Sequence, residues 1–252
     1  SKMPSIDDNL RSWDQDWGHD GDAWSSAWGS SEMLWRGTLA TRVGRFLPAK
    51  HVLEIAPGRA RVTAFLLPLC EQYIGVDLAA TCIDACRTRF ASAAHARFEV
   101  TDGKSLAVVD DASVDFAMSW DSLVHADLEV LASYLAELGR VLRPGAHAFL
   151  HHSNVAALKD AAGEVPFENV HWRDTTSSAE AVRATCDGLD LHCISQEILQ
   201  WGCDHHTDCF SLFRRPESAA ARPETRVLVQ NDMAAEMEHF ARLERLYAPG
   251  TR

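Results

Sequence analysis

No stretch of this 252-residue chain approaches the ~20 apolar residues that span a bilayer, and the opening SKMPSIDDN has none of the regions of a secretory leader. Positive charge is scarce: 24 Lys and Arg stand against 36 Asp and Glu, a formal charge of −12. Phosphate backbones are held by clustered Lys and Arg, so nucleic acid and anionic membrane surfaces are poor partners. The seven cysteines (70, 82, 86, 186, 193, 203 and 209) are an odd number with no C-x-x-C pair, which argues against a zinc cluster or a redox motif. Cys82 and Cys86, four apart on one helix face, read as buried thiols of a reducing cytoplasm. Internal repeats are missing, and Ser1-Lys2 before Met3 reads as a cloning remnant. The length allows one large domain, or a domain with appendages, and a sizeable core.

Glycine is also thin where a phosphate loop would need it. HVLEIAPGRAR (51–61) runs from an apolar stretch ending in Glu54 into a turn of Ala56, Pro57, Gly58 and Ala60, then into the helical pattern VTAFLLPL. IGVDL (74–78) is a second apolar run, ending in Asp77. The order is strand, small-residue turn, helix, strand with an acid at its tip. In doubly wound sheets, ligands bind at such strand ends beside free helix N–H groups. The dinucleotide fingerprint G-x-G-x-x-G lets backbone approach a pyrophosphate, but here its first and third small positions are alanines. Glu54 would repel a polyphosphate and suits an ammonium group, while Asp77 is placed to accept from two ribose hydroxyls. A sulfonium nucleoside with an amino-acid tail, S-adenosylmethionine, fits both acids.

With these residues the chain resembles the class I S-adenosylmethionine-dependent methyltransferases over roughly residues 40–215. LEIAPGRAR is similar to their first motif, with Ala56 and Ala60 where glycine is usual, a change that could narrow the methionine site. GVDL is similar to the second motif, TDGKSL (101–106) to the adenine-contacting acidic segment, and VLRPGAHAFL (141–150) to the turn into the fifth strand. The resemblance implies a cofactor site at Glu54, Ala56, Gly58, Asp77, Leu78, Asp102, Gly103, Ser119 and Trp120.

Strands are expected near 51–56, 73–77, 96–100, 114–119 and 146–152, and helices near 61–70, 80–91 and 127–142, the last stopped by Arg143-Pro144-Gly145. LHCISQEILQW (191–201) and DCFSLFRR (208–215) read as a closing antiparallel pair. The fold expected is α/β: a doubly wound, mostly parallel seven-stranded sheet, Rossmann-like, with its last strand antiparallel. Residues 1–36 form an N-terminal helical lid, 37–215 the core, with 153–188 as a substrate-side insertion, and 216–252 a tail whose EMEHFARLERLY is an amphipathic helix. That helix serves either an interface, as in a homo-oligomer, or packing on its own domain. A helix from about 36 to 47 leads into the first strand.

Methyl transfer from a sulfonium is an in-line displacement, so the reaction needs a held nucleophile, excluded water and a proton acceptor. The fourth strand ends in SWDSLVHAD (119–127) and the fifth in HHSN (151–154). Asp121, His125 and His152 are the catalytic candidates, an Asp–His pair orienting the imidazole tautomer. Alternation along a strand allows only one of His151 and His152 to face the ligand, and His152 is taken as that one. CDHHTD (203–208) offers Asp204, His205, His206 and Asp208 to a metal, but neighbours in a turn rarely converge on one ion, and a solvated turn with no metal is the reading kept.

The lid holds five of the eight tryptophans, with Asp7, Asp8, Asp14, Asp16, Asp20 and Asp22 among them. Pairs four apart, Trp13 with Trp17 and Trp24 with Trp28, are placed to share helix faces. Trp13, Trp17, Trp24 and Trp28 are expected to close over the acceptor, and the carboxylates to receive a cationic group; the plain alternative is a helix stapled to the core by aromatics. The segment is similar to bacterial methyltransferases of sugars and sugar-containing antibiotics, among them the lincosamide N-methyltransferases. The function expected is methyl transfer to an amine nitrogen of a small sugar-containing natural product. Sugar hydroxyl O-methylation and a non-catalytic S-adenosylmethionine-binding module are the alternatives.

Overall fold

The computed structural model describes residues 5–17, 21–219 and 221–250; Ser1, Lys2, Met3 and Asp20 lie outside them. Eight strands form one sheet in the order β3-β2-β1-β4-β5-β7-β6-β8. They are β1 (Ala49–Ile55), β2 (Cys70–Asp77), β3 (Ala96–Val100), β4 (Val114–Ser119), β5 (Leu142–Ser153), β6 (His192–Leu199), β7 (Asp208–Arg214) and β8 (Arg226–Gln230). β7 runs antiparallel to both β5 and β6, and the other pairings are parallel. Central strands covered on both faces read as unbroken apolar runs: Val52, Leu53 and Ile55 in β1 and Phe116, Ala117 and Met118 in β4 are buried.

The helices are α1 (Ile6–Trp13), α2 (Ser31–Met33), α3 (Ala40–Val43), α4 (Thr63–Leu66), α5 (Ala80–Arg89), α6 (Leu128–Val141), α7 (Ala179–Thr185) and α8 (Met233–Tyr247). The 127–142 expectation is met by α6. Asp127 caps it, its side chain accepting from Val130 N at 2.8 Å, and Val130, Leu131, Tyr134, Leu135, Leu138 and Val141 form its buried stripe. The 61–70 helix is shorter than its pattern: Pro68 falls in the 3-10 turn Leu67–Leu69 that ends α4. Arg143-Pro144-Gly145 does not separate helix from strand, because β5 already begins at Leu142 and carries all three residues.

Three features depart from the expected topology. The sheet has an eighth strand: β8 pairs with β6 at the edge and exposes Val227, Leu228 and Val229. Trp24 and Trp28 do not share a face, since Asp22–Trp28 is a 3-10 helix. At three residues per turn, positions four apart point in different directions, so Trp28 is buried and Trp24 is half exposed. Trp17 lies past the end of α1 and meets Trp13 edge-on at 5.8 Å.

α8 packs on its own chain. Met233, Met237 and Ala241 are buried, and Glu236 joins Glu197 around Arg42. The lid approaches α8 at Gly29, whose φ is +89; a Cβ there would lie 2.9 Å from Glu244 Cβ. Gly29→Ala therefore combines a left-handed strain with a clash, for a loss of about 1–3 kcal/mol. Thermal unfolding should shift down by roughly 2–10 °C; an unchanged midpoint would mean the lid and α8 are not packed this way.

Candidate active site

Strand order reverses between β1 and β4, which opens a crevice at their carboxyl ends. A cavity of about 570 Å³ occupies it. The floor is the β1, β2 and β4 tips, the roof is α1 with the 3-10 helix behind it, and the insertion forms one wall.

In the cofactor half, Glu54 lies at the β1 tip, 2% exposed. Thr63 Oγ1 and Tyr73 OH both donate to its Oε2, each at 2.6 Å, and no described residue donates to Oε1. Burial pushes its carboxyl up to about 7. The following turn keeps left-handed geometry without the usual glycines, with φ of 55° at Ala56, 57° at Gly58 and 70° at Ala60. Of the two alanines only Ala56 borders the cavity; Ala60 faces the apolar core, so a narrowing of the methionine site applies to Ala56 alone. Asp77 at the β2 tip accepts from Gly58 N and Ala79 N, both at 3.0 Å, and burial raises it to about 6. Each of its oxygens keeps a second lone pair. Leu78 and Gly103 line the cavity next to it.

Two expected cofactor contacts are placed elsewhere. Asp102 does not line the cavity; its carboxylate caps its own turn, accepting from Lys104 N, Ser105 N and Ser105 Oγ, as Asp at a turn start favours. Ser119 is wholly buried behind the β4 tip, and Trp120 takes the cavity side, because neighbouring strand residues face opposite ways. Four buried polar groups here have no partner among the described residues: Arg59 Nε, Arg61 Nη1, Ser119 Oγ and Trp120 Nε1.

The lid tryptophans Trp13, Trp17, Trp24 and Trp28 all line the cavity. Trp17 lies over the first-motif turn, where a Cβ on Gly58 would meet its ring at 3.1 Å. The lid is latched by Asp14, which accepts from Thr81 N at 2.8 Å and Thr81 Oγ1 at 2.7 Å, by Asn9 Nδ2 on His125 O, and by Arg59 Nη2 on Gln15 O. The described lid carboxylates are engaged away from the cavity, and Asp20 lies outside the described residues. Asp8 belongs to the α1 capping box with Asp7 beside it in the first turn, Asp16 lies 3.6 Å from Arg59, and Asp22 accepts from Ser31 Oγ. No described lid acid lines the cavity. Capping and latching use short acids at helix ends, and composition alone does not separate these roles from ligand binding.

In the acceptor half, Asp121 follows β4 with φ of 51°. Arg61 Nη2 reaches its Oδ2 at 3.1 Å and Arg173 Nη2 its Oδ1 at 3.2 Å. Burial alone would raise its carboxyl, but Arg173 and Arg61 outweigh it and hold it below the usual value. A carboxylate so paired is a poor proton acceptor, which corrects its expected role as a base. His125 lines the cavity, with Trp13 packed over it at 5.1 Å. Its Nδ1 lies 2.9 Å from Trp172 O; a carbonyl only accepts, so Nδ1 carries the hydrogen and Nε2 is left as an acceptor. Burial, then Arg173, push its imidazolium down to about 4.

His152 does not face the cavity, contrary to the assignment made from alternation. It shares a strand face with Leu150, which joins the core cluster under α6 and α7, and its Nε2 reaches Ser211 Oγ at 2.7 Å and its Nδ1 Ser153 O at 2.9 Å. His151 takes the opposite face, walled by Trp120, Trp201 and Phe210; it is wholly buried behind them and does not line the cavity either. Both of its nitrogens are engaged: Nδ1 accepts from Asp121 N at 3.1 Å, and Nε2 donates to Asp208 Oδ2 at 2.7 Å.

Sequence reasoning passed over Arg61, Arg173, Trp172 and Trp201, and weighed Asp208 only as a metal ligand. Asp208 is wholly buried, Arg173 donates to it at 2.8 Å, and its carboxyl is held far below the usual range: burial opposes this, but Arg173 and His151 prevail. The rest of CDHHTD diverges. His205 stacks on Phe167 at 4.0 Å and His206 bonds Asn231, and among the described residues no three His, Cys, Asp or Glu side chains come together as a metal site. No described helix is long and apolar enough to cross a membrane.

Comparison with known proteins agrees with this geometry. Residues 52–145 match the family described as Methyltransferase domain. Geranyl diphosphate C-methyltransferase from Streptomyces coelicolor A3(2), solved with Mg2+, geranyl diphosphate and S-adenosyl-L-homocysteine, is similar in fold, with TM-score 0.61 at 14% identity, covering 85% of this chain and 100% of that one. The N-methyltransferase NodS from Bradyrhizobium japonicum WM9 gives 0.52 at 16% identity, covering 74% and 94%. A SAM-dependent methyltransferase from Methanosarcina mazei gives 0.53 at 16%, covering 70% and 97%. Among curated proteins none matches the sequence. Strand order, the acid-tipped crevice and the family match lead to one assignment: residues 52–145 carry a methyltransferase domain, set in the Rossmann-like methyltransferase fold, with S-adenosylmethionine as its cofactor.

Proposed function

We propose that this enzyme methylates an amine nitrogen on a small, sugar-containing natural product, a tailoring step of the antibiotic type. The fold serves carbon and nitrogen acceptors in its relatives, so the acceptor atom is argued from the pocket. The observation that carries the reading is the wall of the acceptor half, made of Trp13, Trp24, Trp28, Trp120 and Trp201 around His125. Indole faces stack on sugar C–H surfaces and exclude water from the ring they cover.

The same wall lowers the pKa of an amine that enters it, because desolvation disfavours the charged form. The acceptor thus arrives as a free base and needs little general-base help. A sugar hydroxyl would need a strong base, and the groups at hand do not supply one: Asp121 is tied to two guanidiniums, and His125 is pushed down to about 4. His125 Nε2 accepts an N–H from the amine and aims its lone pair. Bound S-adenosylmethionine supplies the electrophilic methyl. In this reading Asp77 receives the ribose hydroxyls, Glu54 the ammonium of the amino-acid tail and the unpartnered Arg61 Nη1 its carboxylate, while Ala56, Gly58, Leu78, Gly103 and Trp120 shape the pocket. The seven unbridged cysteines, five of them buried, suit a cytoplasmic enzyme.

The test is S-adenosylhomocysteine release with aminosugar glycosides and their hydroxyl counterparts as acceptors. The amines are expected to turn over and to gain one methyl on nitrogen by mass spectrometry. His125→Ala should lower kcat by about 10- to 100-fold, the scale of a misplaced acceptor. Turnover of the hydroxyl counterparts alone would refute the amine assignment in favour of O-methylation.

A further inference from the structure

The insertion reaches the rim of the cavity at Val170, His171, Trp172 and Arg173, and this stretch holds a backbone form that its residues disfavour. Trp172 has φ of 51°, the left-handed region where a bulky side chain is strained. The strain is kept in place by a tight clamp. Asn169 Nδ2 donates to Arg173 O at 2.7 Å, and Arg173 N returns a bond to Asn169 Oδ1 at 2.9 Å. Trp172 N donates to Asn169 O at 3.1 Å, and the Arg173 side chain is anchored on Asp208 and Asp121.

This conformation does two things. It turns the Trp172 carbonyl inward onto His125 Nδ1, and it leaves the indole 70% exposed. From the lid, Trp24 borders the same cavity with 49% of its surface exposed. A large apolar ring held rigidly in water by a strained backbone is characteristic of a contact surface. The occupant follows from space and chemistry. A cavity of about 570 Å³ is within the range filled by one drug-sized ligand, and this one admits a cofactor as well as an acceptor. An acceptor larger than one ring must therefore extend over the rim, where indole faces favour the C–H face of a sugar.

We propose that Trp172, together with Trp24, forms an outer subsite that stacks a second, glycosidically linked sugar ring of the acceptor. The reacting ring then lies inside against His125 and the distal ring lies on the rim, so the preferred substrate is a glycoside of at least two rings. The identity of the reacting group rests on the amine reading; the rim subsite does not.

The experiment measures acceptor binding to the full chain saturated with S-adenosylhomocysteine, by calorimetry. The probes are the methyl glycoside of an aminosugar and an amino disaccharide carrying that same unit. The disaccharide should bind roughly 3- to 10-fold more tightly, the scale of one stacked ring. Trp172→Gly removes the ring while suiting the left-handed backbone, so the carbonyl on His125 is kept. It should abolish the difference between the probes, and Trp172→Phe should restore most of it. Equal affinity of both probes for the unaltered protein would overturn the proposal. So would a Trp172→Gly loss equal for both, which would assign the residue to support of His125 alone. If neither probe is methylated but the Trp172-dependent gain persists, the amine reading fails and the subsite stands.

Discussion

Asp77→Ala is expected to abolish measurable S-adenosylhomocysteine binding in calorimetry. The carboxylate sits at the β2 tip with both oxygens on backbone N–H groups and one lone pair left on each. Losing two hydrogen bonds from ribose hydroxyls to a charged acceptor, at about 1.5–3 kcal/mol each, weakens binding on the order of 10²- to 10⁴-fold. Asp77→Asn keeps an acceptor for Gly58 N and should retain the fold while still losing most of the affinity. Unchanged affinity in both variants would mean that the β2 tip is not the ribose site.

The same carboxylate gives binding a pH dependence. Glu54 and Asp77 are raised by burial to about 7 and about 6, so both gain protons in the free protein as pH falls toward 5. The cationic ligand favours the ionised forms, and its affinity should rise from pH 5 through pH 7 and level off roughly one unit above the Glu54 value. Stability should change less over that window. The two acids stabilise the folded state less as pH climbs from their ordinary values through 6–7, because the folded chain then gives up protons that burial had retained. His125 and His152, both pushed down to about 4 by burial, act in the opposite sense: unfolded imidazoles take up protons below about 6.5, so these residues add stability as pH rises to that value.

The second large effect is on folding. Arg173→Ala should cost about 3–5 kcal/mol, since it leaves Asp208 wholly buried and Asp121 partly buried without their shared guanidinium. At roughly 2–4 °C per kcal/mol, the thermal midpoint should fall by about 10 °C. Arg173→Ala combined with Asp208→Asn removes the stranded charge and should recover much of that loss. If the double variant is no more stable than the single one, the ion pair is not what anchors the insertion.

Features whose cause is local were visible in the sequence. The β1 and β2 tips announced themselves because apolar runs end in Glu54 and Asp77, and α6 because its apolar stripe has the helical period. β8 could not be read this way. Arg226–Gln230 is five residues set in a polar tail, and it becomes a strand only because the β6 edge is there to pair with. The choice between His151 and His152 depends on which face of β5 lies under α6 and α7, a fact of packing; alternation says only that they differ. Arg61 and Arg173 meet at Asp121 from 60 and 52 residues away, and contacts of that span leave no trace in spacing. The lid tryptophans were legible as cavity-facing because large aromatics so close together must be covered by something. The lid acids misled because charge marks where water or a partner is, without saying which partner.

The lid and α8 are packed together at Gly29, and Met237 of α8 itself borders the cavity. α8 thus couples the outside of the molecule to its pocket, and substitutions on its buried side should be felt at the acceptor wall rather than only at the surface.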